Sequence, residues 1–243
     1  MIGERMNIRR SAMVIATLVS GLIAPPGRAT ADTPCAGFQP VADSIAGVSP
    51  DNLGNWVVHY EKVSGGDPGI ADTINQVIDA EARGQVATYE PSGSKTVPWT
   101  LNIDGKLLKR PVTVSELFTG EYNANQPNLP FHAVATRVFD CRSGILIDWD
   151  NLFTDKEAGL ARLSDQTRKI IPTVYAPPTH PGIWQFGSEI APIDANFRYW
   201  VPTEQGIELH FPDWQFGRGV AVITVPWSAV RDLIAPPFQA IIG

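Results

Sequence analysis

Three features of this 243-residue chain predict an α+β fold in a single domain, with a mixed or antiparallel sheet of hairpins packed on two main helices. Strand-like alternation comes in consecutive runs instead of one run per helix. Two stretches, 70–83 and 155–171, carry apolar residues at helical spacing. Across 53–243 no linker of altered composition separates two cores, so that stretch reads as one domain.

The first 31 residues stand apart from this fold. Arg5, Arg9 and Arg10 precede the uncharged apolar run SAMVIATLVSGLIAPP, and small residues follow at Ala29 and Ala31. That order predicts a secretory signal peptide over 1–31, cleaved after Ala31. Pro25, Pro26 and Gly27 interrupt the run, so no stable membrane span is expected after cleavage. Asp32, Thr33 and Pro34 before Cys35 do not form the small-aliphatic lipobox that lipidation requires. The chain is therefore expected to be secreted or associated with the cell envelope.

Residues 32–52 read as an extended N-terminal arm, ordered through Cys35. NWVVHYEKV alternates Trp56, Val58 and Tyr60 with Val57, His59 and Glu61, a strand. After the turn SGGDPG, Asp67 is placed to cap a helix with Pro68 in its first turn, Ile70, Ile74, Val77 and Ile78 on one face, and Gly84 at its end. TVPWTLNID and RPVTVSELFTGEYNA are strand-like. HAVATRVFD, the turn CRSG and the return ILID predict a hairpin, closed by DWDNLF. Leu160, Leu163, Thr167, Ile170 and Ile171 mark the second helix, which Pro172 should stop. A proline-rich loop follows. Then NFRYWVPTEQGIELHF reads as a hairpin, GVAVITVP as a buried strand and PWSAVRDLI as a short terminal helix.

Composition excludes some functions. With 19 basic and 25 acidic residues the chain carries a net charge of −6. Losing the signal's four arginines and one glutamate leaves 15 basic and 24 acidic, a net of −9. Such a balance repels nucleic-acid phosphates and anionic lipid surfaces, so no nucleic-acid partner is expected. The two cysteines, Cys35 and Cys141, allow one disulfide, which would stabilise the fold by roughly 4 kcal/mol through the long loop it closes. The alternative is two unpaired thiols. No CxxC or HxxxH spacing accompanies them, so neither a metal nor a cofactor is expected.

Catalytic motifs are likewise absent. There is no GxSxG pentapeptide, and SGGDPG lacks the Lys-Ser/Thr of a phosphate-binding loop. Of the histidines His59, His132, His180 and His210, any could serve as a base, yet each reads first as a surface or packing residue. Asp148 and Asp150 are the nearest local carboxylate pair, and a turn or helix entry at Asp150-Asn151 is the plainer reading. In the late hairpin, alternation puts Phe197, Tyr199 and Val201 opposite Arg198 and Trp200, and Ile207, Leu209 and Phe211 opposite Glu208 and His210. Trp200, Glu208 and His210, with Asp213 and Trp214 in the next loop, form the outward set expected to bind a ligand; His132 joins them.

The order of several short motifs carries a resemblance. His132 precedes a strand, Asp140 lies in the hairpin and Leu152-Phe153 ends a turn; Asn196-Phe197, Thr203 through Ile207, and Val225-Pro226 leading to Leu233 follow. This order resembles the RsiV-type family of domains of unknown function and is similar to a secreted immunogenic antigen of mycobacteria. The resemblance implies a β-grasp-like sheet wrapping helices, an exported location and no settled catalytic residues. It also implies recognition of macromolecules, since a family member binds lysozyme, and esterase activity has been proposed for a relative. The expected function is thus a secreted, non-catalytic protein that binds an extracellular protein or envelope glycan. The alternative is an envelope ester hydrolase with a non-standard Ser/His/Asp site using His132 or His210.

Overall fold

Two sheets carry the chain in this computed structural model, which describes residues 33–123, 130–178 and 182–242. The proposed signal peptide, 1–31, and His180 lie outside the described residues. The fold is α+β. Its larger sheet has the order β1 (Phe38–Val48), β2 (Gly54–Gly65), β3 (Trp99–Lys109), β4 (Thr113–Asn123), β5 (Phe131–Asp140). All neighbours are antiparallel except β2 and β3, whose parallel pairing makes the sheet mixed. That connection is the long helix α1 (Pro68–Tyr89), which covers one face with Ile74, Ile78 and Ala82, each with no exposed surface.

The second sheet has the order β6 (Trp200–Pro202), β7 (Gly206–Phe211), β8 (Ala221–Pro226), all antiparallel. It shares a core with α2 (Trp149–Leu152), α3 (Lys156–Val174), α4 (Asp194–Phe197) and α5 (Trp227–Val230). Leu163, Ile207, Leu209 and Val225 are fully enclosed there. Trp200 N donates to Thr136 Oγ1 at 2.9 Å, holding β6 against β5.

Several expectations change in detail. The segment read as an arm is an 11-residue strand, β1, paired along its whole length with β2. Asp67 caps α1 as expected, accepting from Ile70 N, but the helix passes Gly84 because Gln85 and Val86 extend its buried stripe. Pro172 sits inside α3, which runs two residues further, to Val174; a proline this near the end disturbs little of the hydrogen-bond ladder. The expected return strand after β5 shrinks to one bridge, Phe139↔Leu146. There the chain is drawn into α2 by a capping box between Asp148 and Asn151. Phe197 closes α4 and is no strand residue.

The pairing of β2 with β3 ends at His59↔Asp104, and side chains fill the fork beyond. Glu61 N donates to Glu116 Oε1 at 3.1 Å and Leu107 N to Glu61 Oε2 at 2.8 Å. Asn75 of α1 brackets Val63, accepting from its N at 2.8 Å and donating to its O at 2.9 Å. These contacts replace the missing ladder. Glu116 has no exposed surface. Burial pushes its pKa up to about 8, against the pull of the Glu61 N–H and with help from the Glu61 charge.

Cys35 and Cys141 form the disulfide, with Cα atoms 5.3 Å apart across 106 residues of sequence. It joins the 3-10 turn Pro34–Gly37, ahead of β1, to the turn after β5. No described helix is long and apolar enough to cross a membrane.

Candidate functional site

His132 is the second residue of β5, and its side chain is 37% exposed. Asp213 follows β7 in a loop, yet only 7% of its side chain is exposed. The loop reaches back to the strand. Asp213 Oδ2 accepts from His132 N and lies 3.0 Å from His132 Nδ1, while Oδ1 accepts from Gly219 N. One carboxylate thereby closes the loop 213–219 on itself and staples it to β5.

Burial pushes the Asp213 carboxyl up, but the two backbone donors and the imidazole outweigh it, so its pKa falls below the usual carboxylate value. Pairing with this anion assigns the proton of neutral His132 to Nδ1 and leaves Nε2 as an acceptor. Among the described residues no hydroxyl or thiol hydrogen-bonds to His132.

The residues beside this pair in sequence are exposed. Trp214 is 65% exposed and Phe131 is 39% exposed. Trp214 also has φ of 72°, a left-handed conformation that a bulky residue rarely adopts. Its N–H donates to Gly217 O at 2.7 Å, and Gly217 and Gly219 themselves have positive φ. A large apolar side chain is thus held outward on a tightly bonded loop.

The other expected site residues divide differently. His210 is 7% exposed, and its Nε2 lies 2.9 Å from Oε1 of half-buried Glu208. These two do meet, but His210 does not face outward. Trp200 is 3% exposed and stacks on Trp149 with ring centroids 4.8 Å apart. The expectation that it lies outward with Glu208 and His210 is overturned by register. Trp200 pairs directly with Leu209, and opposed residues of an antiparallel pair share a face, so Trp200 belongs to the core side. A two-tryptophan glycan platform from Trp200 and Trp214 is therefore not formed. His59 is exposed on β2, away from the Asp213 loop's contacts. Asp150 and Asn151 lie in the first turn of α2, the helix entry expected there; Asp148 caps that helix, and Asp150 also pairs with Lys156 at 2.8 Å.

The spacing of residues did not mark Phe131 or Glu116. The second was detectable: Val114, Glu116 and Phe118 alternate on the inner face of β4, and a carboxylate in that series is an anomaly. Among the described residues no group of three or more His, Cys, Asp or Glu is placed to hold a metal ion.

No family model matches the chain, and no curated protein matches it. In structure it is similar to a DUF3298-family member of Bacteroides fragilis NCTC 9343, with TM-score 0.56 and 12% identity, over 84% of this chain and 96% of that one. It is also similar to a DUF3298-family protein of Pseudomonas aeruginosa PAO1, with TM-score 0.49 and 8% identity, over 82% and 94% of the two chains. At these identities a likeness extends to the fold alone, and it is the first that carries it.

Proposed function

We propose that the chain is an exported, non-catalytic protein of the RsiV-like kind, related to the mycobacterial antigen, that binds an extracellular protein partner at the cell envelope or in the host. The carrying observation is Trp214, a 65% exposed indole held at φ 72° by a loop that Asp213 locks to β5. Exposed, pre-organised aromatics are the side chains that dominate protein recognition, and backbone strain at a surface residue calls for a role outside folding. The disulfide supports an oxidising compartment, and the segment 1–31 supplies the export reading. A photocrosslinking amino acid at exposed Arg218, in the same loop and with Trp214 left in place, should give discrete protein adducts of the exported chain. The same label at exposed Ser228 on α5 should not. Equal adducts at both positions, or none at 218, would reject the reading.

Ester hydrolysis is a second reading, favoured by the Asp213–His132 geometry, in which a carboxylate orients an imidazole through Nδ1. A fluorophosphonate probe should leave the folded chain unlabelled. Labelling abolished by His132→Gln would establish the hydrolase instead.

A further inference from the structure

A cavity of about 190 Å³ lies away from the Asp213 loop, where three separate segments converge: Thr136–Val138 of β5, the stretch 146–150, and the stretch from Asp194 to Trp200. It exceeds the roughly 150 Å³ that accommodates a benzene ring. Its walls are fixed by the Trp200 N–Thr136 Oγ1 bond and by Trp149 Nε1 donating to Phe197 O at 3.0 Å. Trp149 and Trp200 stack beneath it, and Val138 and Ile147 add apolar surface.

Most charges lining the cavity are already engaged. Arg137 pairs with Glu81, while Asp150 and Asp194 share Lys156 at 2.8 and 2.6 Å. Two groups are left over. Arg198 lies over the Tyr199 ring at 4.8 Å and, among the described residues, has no carboxylate partner. Asp148 uses Oδ1 to cap α2, accepting from Asp150 N and Asn151 N, while Oδ2 has no partner among the described residues. Both belong to exposed residues, so one solvent-facing guanidinium and one solvent-facing carboxylate oxygen line the same half-open, partly apolar cleft.

We propose that this cavity binds a small zwitterion of the free amino-acid class, its carboxylate on Arg198 and its ammonium on Asp148. A molecule bearing both charges can make a charge-assisted bond at each end, whereas an amide or acetyl group at either end forgoes one of them.

The test uses the full exported chain, with Trp149 and Trp200 as intrinsic fluorescence reporters and calorimetry in parallel. Glycine, alanine, leucine, glutamate and lysine are titrated, each beside its N-acetyl and amide forms. At least one amino acid should bind saturably, with both blocked forms at least about tenfold weaker, equivalent to 1.4 kcal/mol. Arg198→Ala should bring the free and amide forms to equal affinity. Asp148→Asn, which keeps a residue suited to capping, should do the same for the free and acetyl forms. No saturable response to any of the amino acids, or blocked forms that bind as well as free ones, would overturn the proposal. Thermal melts of both variants separate loss of binding from loss of fold.

Discussion

Glu116 is the residue at which burial and charge are most opposed. Its folded pKa, about 8, lies above the ordinary value of 4.5 because the carboxyl has no exposed surface. Between those values the folded state holds a proton that the unfolded chain has released. Stability contributed by this group is therefore complete below pH 4.5 and is lost as pH rises towards 8, at up to about 1.4 kcal/mol per pH unit. Urea titrations at pH 5 and pH 8 should show this decline, and Glu116→Gln should flatten it. Asp213 has the opposite sign, since its lowered pKa makes its contribution fade only as acid is added. Trp214 offers a different balance. Trp214→Gly should leave the melting temperature unchanged or raise it by relieving a left-handed backbone, worth up to about 1 kcal/mol. The same change should abolish crosslinking from a label at Arg218; a destabilised Trp214→Gly would mark the indole as structural instead.

At the scale of elements, α1 shows how a local stop signal can be outvoted. Gly84 resembles a helix end, yet Ala82, Gln85 and Val86 are buried on either side of it and the helix continues to Tyr89. The space around it is open: a Cβ at Gly84 would meet nothing within 4 Å. Gly84→Ala should thus stabilise the protein by about 1 kcal/mol, measurable by chemical denaturation. At Gly105 on β3 the opposite holds, because a Cβ would run into the Glu116 carboxylate and the Phe118 ring. The cap at Asp67 was legible in the sequence, where the needed residue type sits beside its own target; the helix entry at Asp150-Asn151 was legible too, but not that Asp148 caps it. The return strand after β5 was not. Its fate depends on whether Leu146 meets a long partner or a single residue, Phe139.

For the whole molecule, the Cys35–Cys141 bond spans 106 residues and ties the start of β1 to the far end of β5. Replacing both cysteines with serine should lower unfolding free energy by about 4 kcal/mol and loosen the pairing of β1, read as faster amide exchange along Phe38–Val48. This link was legible because two cysteines allow one pairing. The α+β class, the helices over α1 and α3, and most strand positions were equally legible, since periods of 2.0 and 3.6 residues are local properties of the chain. So were His132, Asp213 and Trp214 as residues of interest. Their relation was not: Asp213 lies 81 positions from His132, and only the folding of the 213–219 loop onto β5 brings them within a hydrogen bond. Local alternation likewise assigns Trp200 a side but not the correct one. Which face of a strand is buried is set by its register with a neighbour, Leu209 here, and by what packs above it. The amino-acid sequence determined the elements and their apolar faces; the tertiary structure decided which polar residues meet, because that depends on register and loop docking between segments far apart in the chain.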